Sequence, residues 1–401
     1  MNIGFLTAGC DSGRSGIGQY ARELLTRFAS GADGDQVDVV LPHGEDDVWM
    51  RDVAGATRSV IPAAFGTPLA SVAWTQAGLP LVSARRHHDV LFIPAANRRV
   101  PVMAGTPTVG TVHDLAAFHV GAKYDPARMF YIRRVLPALI RRLTHVITIS
   151  EASRRDIVEL AGVAPERVSV VPLAADASRF TPERVPGAQA RIAAQFGLQR
   201  RYILYVSRIE HPAKNHVRLI EAFERLKETG LPHQLVLAGP DRERADEVHA
   251  RAAQSPWAAD IRFTGFVSDA DMPHLYRGAD CVVVPSLWEG FGLPVLEAMA
   301  CGVPVACSNV ASLPEVAGRA AIVFDPYDYR DISSALHVLL TDGSARAHYR
   351  SAGLQRSRMF NWDRTAEATW QVIEAVARKA GTSPLVMPRR RMTDEFGRSA
   401  S

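Results

Sequence analysis

The chain has 401 residues, 47% of them hydrophobic and 22% charged, with 46 basic against 42 acidic side chains and a net charge of +4. That apolar fraction is enough for two full cores of roughly 150 residues each, and it excludes a disordered or fibrous protein. From so even a charge balance no strong affinity for nucleic acid follows, and none is expected as a partner.

The chain opens directly into a strand at Ile3–Ala8, with neither a basic nor a long apolar leader, so no signal peptide is expected. Ser12-Gly13-Arg14-Ser15-Gly16-Ile17-Gly18-Gln19-Tyr20-Ala21 follows and opens a helix over Gln19–Phe28. Small residues let a ligand approach the backbone, and a helix N-terminus offers N–H groups to an anion. Gly16 to Ala21 also reads as G-x-G-x-x-A, the dinucleotide fingerprint. That motif wants an acid at the end of the next strand, and Asp38 lies inside it instead. A Gly-rich turn for tight packing is the alternative.

Short apolar runs continue at Val37–Leu41, Ser59–Pro62, Val90–Pro94, Thr108–Val112, Val146–Ile149 and Val168–Leu173. Continuous Val/Ile/Leu runs alternating with helical patterns, such as Ile132–Leu143, predict a buried parallel sheet with right-handed crossovers. Thr111-Val112-His113-Asp114 ends one strand, so His113 is placed to line a crevice or to pack structurally. Arg133, Arg134, Arg141 and Arg142 mark either one solvated helix face or a surface for anionic lipid head groups.

A composition break with two prolines at Phe180–Gly187 puts the domain boundary between about 178 and 200. The plan then repeats. Strands are predicted at Tyr202–Val206, Gln234–Ala238, Ile261–Thr264, Cys281–Pro285, Pro304–Cys307 and Ala320–Phe324. Helices are expected near Val217–Lys227, Arg242–Ala253, Met272–Gly278, Val295–Ala300 and Ile332–Leu340. No apolar run reaches the roughly 18 residues of a membrane span. Cys10, Cys281, Cys301 and Cys307 lack zinc-ligand spacing and read as reduced packing residues of a cytoplasmic protein.

Arg208 and Lys214 flank the turn after the strand Tyr202–Val206, a pair suited to a diphosphate that gains charge as it leaves. The alternative is a solvated loop with Asn215 capping the next helix. Glu289-Gly290-Phe291-Gly292-Leu293-Pro294-Val295-Leu296-Glu297 is the most specific stretch. Pro294 fits the first turn of a helix, which aims the N–H groups of Phe291, Gly292 and Leu293 at an anion. Glu289 precedes that helix and Glu297 is expected in its first turn, and carboxylates there suit hydroxyl groups rather than phosphate. Asp269-Ala270-Asp271 matches a metal-binding D-x-D literally, yet Ser268 or Asp269 reads better as a helix cap, so no metal site is expected.

Together these residues resemble glycosyltransferase family 4, the retaining GT-B transferases, and its bacterial mannosyltransferases in particular. Glu289 to Glu297 matches that family's E-x7-E motif, Arg208 and Lys214 its basic pair, Gly16 and Gly18 its glycine loop, and His113 its strand-end histidine. The resemblance covers about residues 1 to 378. It departs from the family at Glu210-His211-Pro212-Ala213, where many relatives carry a more glycine-rich turn.

The resemblance implies an α/β fold of two Rossmann-like, doubly wound parallel-sheet domains facing across a cleft. Residues 1–185 would bind the acceptor, 195–360 the nucleotide sugar, and a helix over 361–380 would cross back to the first domain. The basic end, 383–401, is expected to be disordered. Glu289 would meet the hydroxyls of the transferred sugar and Glu297 the ribose. Arg208 and Lys214 would hold the leaving diphosphate, helped by Gly16, Gly18, Phe291, Gly292 and Leu293. Gly265, Phe266 and Val267 would lie beside the base, with Asp269 a partner for guanine. The implied reaction is metal-independent transfer, with retention, from GDP-mannose or a similar donor to a glycan or lipid-linked sugar at the inner membrane's cytoplasmic face. Two other readings stand beside it: a nicotinamide-dependent oxidoreductase, from Gly16 to Ala21, and a non-catalytic sugar-nucleotide-binding protein.

Overall fold

The computed structural model describes residues 1–13, 15–30, 34–51, 53, 55–121 and 126–381. The stretch expected to be a disordered tail, 383–401, lies outside the described residues. The first sheet contains β1 (Asn2–Leu6), β2 (Gln36–Pro42), β3 (Thr57–Ile61), β4 (Val90–Ile93), β5 (Thr108–Thr111), β6 (His145–Thr148) and β7 (Val168–Val170). Its order is β3-β2-β1-β4-β5-β6-β7, and every pairing is parallel. The second contains β8 (Tyr202–Val206), β9 (Gln234–Ala238), β10 (Ile261–Gly265), β11 (Cys281–Val284), β12 (Val305–Ser308) and β13 (Ile322–Phe324), ordered β10-β9-β8-β11-β12-β13, again parallel throughout.

Burial explains why these strands read as continuous apolar runs. In β1, Ile3 and Phe5 face one core and Leu6 the other, and all three have no exposed surface. Helices therefore cover both faces of each sheet. The strand order reverses between β1 and β4 in one sheet and between β8 and β11 in the other. Neighbouring crossovers diverge at such a point and leave a crevice at the carboxyl ends of the strands.

The helix predicted over Ile132–Leu143 is broken in the structure. It runs Pro126–Phe130, widens into a π-helical turn at Tyr131–Val135, and resumes at Leu136–Ile140. Arg141 and Arg142 form the turn that follows. The stretch read as a domain boundary contains a short helix, Ala188–Phe196, packed against the helix Met272–Gly278 of the second domain. Pro68–Arg86, Glu151–Glu159 and Gly343–Ser357 are further helices that the apolar pattern did not reveal.

The helix Trp362–Lys379 returns to the first domain. Trp370 meets Phe28 edge-on at 5.1 Å between ring centres, and Asp363 pairs with Arg27 at 2.7 Å. Thr365 Oγ1 donates to the Pro172 carbonyl at 2.8 Å. Trp370 is 9% exposed, so truncating it opens a cavity under the returning helix. Trp370→Ala is expected to lower the unfolding free energy by about 3 kcal/mol in urea titration, with Trp370→Phe losing less.

Candidate functional site

The decisive residues stand on the two strands flanking the switch point of the second sheet. Arg208 and Lys214 lie in the turn between β8 and the helix His216–Glu228, and Glu289 lies in the turn after β11. Lys214 Nζ sits 2.6 Å from Glu289 Oε1, and Ser286 Oγ donates to the same oxygen at 2.6 Å. Tyr205 Oη, from β8, lies 2.9 Å from Ser286 Oγ and donates to the Lys214 carbonyl at 3.0 Å. Neither charge of the pair is free in water: Lys214 and Glu289 side chains are 15% and 17% exposed. Asn215 starts the helix but does not cap it with its side chain. Its amide donates instead to the carbonyls of Pro285 and Pro326, which ties this turn to the one after β11.

Arg208 reaches solvent and is braced by Glu210, whose carboxylate lies 3.0 Å from its guanidinium. Glu210 is 1% exposed, so the departure from a glycine-rich turn has a visible result: a buried carboxylate that fixes Arg208. Arg208 also faces the first domain. Burial works against ionisation of Asp11, yet Arg98, Ser15 and the charge of Arg208 hold its carboxyl below the usual range.

The turn at Glu289 also meets the first domain directly. A Cβ on Gly290 would come within 2.8 Å of the His113 carbonyl and 2.9 Å of Asp114 Cβ, so only glycine fits. Gly292 has φ +106 and starts the helix Leu293–Ala300, with Pro294 in its first turn. Ser312 Oγ donates to the carbonyls of Glu289 and Phe291 and fixes this turn from behind. Among the described residues, no group accepts from the N–H of Phe291, Gly292 or Leu293. Such a helix end attracts an anion. The Phe291 ring meets Phe360 edge-on at 5.8 Å.

Glu297 is the fifth residue of its helix and so lies in the second turn, not the first. The helix begins at Leu293, two residues before the expected Val295, which moves Glu297 into the second turn. Its carboxylate accepts from Tyr276 Oη at 2.8 Å. Burial pushes its carboxyl up to about 7, against the pull of Tyr276 and Arg179.

His113 follows β5 and is 5% exposed. Its Nε2 donates to the Pro94 carbonyl at 2.9 Å, and Tyr20 packs edge-on against the ring at 5.0 Å. Burial pushes the ring's pKa down to about 4, so it is neutral at pH 7. Its ring N–H is thus already taken by the chain, and only Nδ1 is left to accept.

Gly16 opens the helix Gly16–Ser30 with nothing near its missing Cβ, which leaves room for a ligand. Gly18 differs: a Cβ there would lie 2.5 Å from the Cys10 carbonyl. Gly18 therefore serves the packing of the loop. Asp38 cannot serve a dinucleotide ribose, because it is buried within β2 and accepts from Ser59 at 2.7 Å and Thr57 at 2.9 Å, with His88 at 3.0 Å.

Gly265 ends β10 with φ +65, and the Phe266 ring beyond it is 75% exposed. Val267 is buried. Asp269 and Asp271 turn to different arginines: Asp269 is 3.3 Å from Arg179, Asp271 is 2.7 Å from Arg191, and Ser268 donates to Asp271 at 2.8 Å. All four cysteines are buried free thiols.

Several supporting residues carry no sequence signature: Ser286, Glu210, Tyr276 and Ser312. Others join the domains. His119 stacks on Trp288 at 3.5 Å, Ser153 donates to the Gly290 carbonyl at 3.4 Å, and Glu315 accepts at 3.0 Å from the N–H of Glu151. Only tertiary structure brings these positions together.

Two family models match: Glycosyltransferase Family 4 over residues 14–179 and Glycosyl transferases group 1 over residues 189–356. The chain is 36% identical to the O-antigen chain mannosyltransferase B of Escherichia coli, over 67% of this chain and 69% of that one. The chain belongs to glycosyltransferase family 4. This family 4 enzyme is also 33% identical to the serotype-specific mannosyltransferase WbdA of Escherichia coli, over 65% of its own length but only 32% of WbdA's. Its fold matches that of Anabaena Alr3699/HepE, solved with UDP and glucose, with a TM-score of 0.71 at 19% identity, over 94% of this chain and 100% of the other. The two doubly wound domains are therefore a GT-B pair, and the transferase acts as a glycosyltransferase.

The raised pKa of Glu297 has a direction that can be checked. The folded chain binds this proton more tightly than the unfolded chain, so its stability contribution is full below the ordinary carboxyl pKa and is lost as pH rises towards 7. Glu297→Gln, which stays neutral, is expected to flatten the fall in melting temperature between pH 5 and 7. An unchanged slope would assign that fall to another group.

Proposed function

We propose that this transferase moves mannose from GDP-mannose onto a growing glycan or lipid-linked sugar, with retention of configuration and without a metal. The observation that carries the reading is the meeting of Arg208, Lys214, Glu289 and the unaccepted N–H groups of Phe291 to Leu293 at one switch point. The mannosyl part rests on the 36% identical Escherichia coli mannosyltransferase.

The ion pair suggests how binding and orientation are linked. Lys214 neutralises Glu289 before a donor arrives. A diphosphate accepts from Lys214, Arg208 and the helix N-terminus, and Glu289 is released to accept from sugar hydroxyls. Developing charge on the leaving oxygen then falls on fixed donors, which lowers the barrier without rearrangement. The acceptor hydroxyl attacks the anomeric carbon on the face the diphosphate leaves. The bond from that carbon to the diphosphate oxygen breaks, and the hydroxyl proton passes to the phosphate. Glu297 accepts from the ribose as a carboxylate, and Asp269 accepts from the guanine edge. The separate pairing of Asp269 and Asp271 supports a site without a divalent cation.

Glu289→Ala is expected to cut turnover roughly a hundredfold or more while leaving nucleotide affinity within a few-fold. Turnover measured with candidate acceptors, and nucleotide binding measured by calorimetry, separate these effects. In scanning fluorimetry GDP is expected to stabilise the protein more than UDP or ADP; equal shifts would remove the guanine reading. The anomeric proton coupling of the product reports retention.

We place the enzyme in the cytoplasm, peripheral to the inner membrane, with the face around Arg133 and Arg134 towards anionic lipid. Both arginines are exposed beside Phe130, which is 65% exposed, and no described helix is long and apolar enough to cross a membrane. Arg133→Glu with Arg134→Glu is expected to abolish sedimentation with phosphatidylglycerol vesicles. Retained binding would leave these arginines as a solvated face.

A further inference from the structure

A second polar cavity lies at the opposite ends of the strands from the cleft. It holds about 270 Å³ and sits where the chain enters β11 and β12, walled by Asp280, Gly302 and the guanidinium groups of Arg184, Arg277, Arg346 and Arg350. Four arginines against one carboxylate is a strong local excess in a chain of net charge +4. That carboxylate is already committed: Asp280 accepts from Arg201 at 2.6 and 2.9 Å and lies 3.1 Å from His233. Burial opposes its charge, but these partners hold its pKa down to about 2.

The arginines themselves have no carboxylate within 4.0 Å among the described residues. Arg277 is the most telling. It is 7% exposed, and its two terminal nitrogens donate to the Thr181 carbonyl at 3.0 Å and His274 Nδ1 at 2.8 Å. Its Nε finds no acceptor. A buried guanidinium with an unused donor costs free energy unless something supplies the missing oxygen. Arg346 and Arg350 stand on one face of the helix Gly343–Ser357, spaced four apart.

We propose that this cavity binds a small phosphate-bearing compound, independently of the cleft. Phosphate oxygens match the forked donors of arginine, and several arginines around one cavity suit a doubly charged group rather than a single carboxylate. The cavity shares two helices with the cleft. Arg277 follows Tyr276, which holds Glu297, and Gly302 lies just past the end of the helix that carries Glu297.

Inorganic pyrophosphate followed by hydrogen-exchange mass spectrometry tests this, because it reports the two sites separately. Pyrophosphate is expected to slow exchange across 301–304 and 343–350 in the wild-type chain. In Arg346→Glu with Arg350→Glu that protection is expected to disappear while protection across 208–216 in the cleft remains. Calorimetry at this site is expected to show affinity roughly tenfold weaker or worse in the variant. Arg184→Ser serves as a milder variant if the double change fails to fold in a thermal melt. No protection at 301–304 and 343–350 with pyrophosphate up to about 10 mM, or protection equal in wild type and variants, overturns the proposal. So does loss of binding to phosphatidylglycerol vesicles in the variant without any effect of pyrophosphate, which assigns the arginines to lipid head groups. Loss of cleft protection alone overturns the diphosphate reading of Arg208 and Lys214 and leaves this one standing.

Discussion

A lysine and a glutamate held 2.6 Å apart, mostly out of water, are the constraint around which the cleft is organised. Removing either one leaves an uncompensated charge in a poorly solvated place, a cost of several kcal/mol in typical cases. The pair therefore needs its support. Ser286 fixes the carboxylate, Tyr205 fixes the serine and the lysine's own backbone, and Asn215 fastens the two turns together. Each of these residues sits at the end of β8 or β11, or just beyond. The parallel order of the sheet makes those ends neighbours without any long-range loop.

The cleft is not two independent walls. Gly290 touches the backbone of His113, Glu315 caps the helix that starts at Glu151, and Trp288 lies flat on His119. These contacts come from turns, where side chains and carbonyl groups project beyond the sheets. They keep the first domain's strand ends against the turn that runs from Glu289 to Gly292 in the second domain. The charge of Arg208, from the second domain, helps Arg98 and Ser15 hold the Asp11 carboxyl of the first domain below its usual range.

Much of this was legible in the sequence, and the reason differs by element. Buried parallel strands announce themselves because both faces must be apolar, so β8, β9 and the helix Met272–Gly278 stand where the pattern puts them. The E-x7-E stretch was legible because glycine, proline and paired acids in that order have few structural explanations. Helices such as Pro68–Arg86 and Gly343–Ser357 were not, since their apolar stripes are weak. The supporting shell was not legible either. Ser286, in a turn, and Tyr276, in a short helix, are ordinary residues, and only packing shows that they hold Glu289 and Glu297. His113 shows the limit of reading a role from position: its place at a strand end was clear, but the carbonyl of Pro94 that takes its N–H lies on another strand's loop.

The chain passes between the two domains twice, once beyond β7 and once before Trp362. Thr365 joins these passages through the carbonyl of Pro172. Two covalent crossings bonded to each other behave as a single pivot. Any swing of one domain against the other must bend there. Phe360 stands at that pivot with its ring against Phe291, whose backbone belongs to the turn before the helix Leu293–Ala300. A swing of one domain against the other would therefore carry Phe360 with it and press on, or draw away from, the ring that backs this turn.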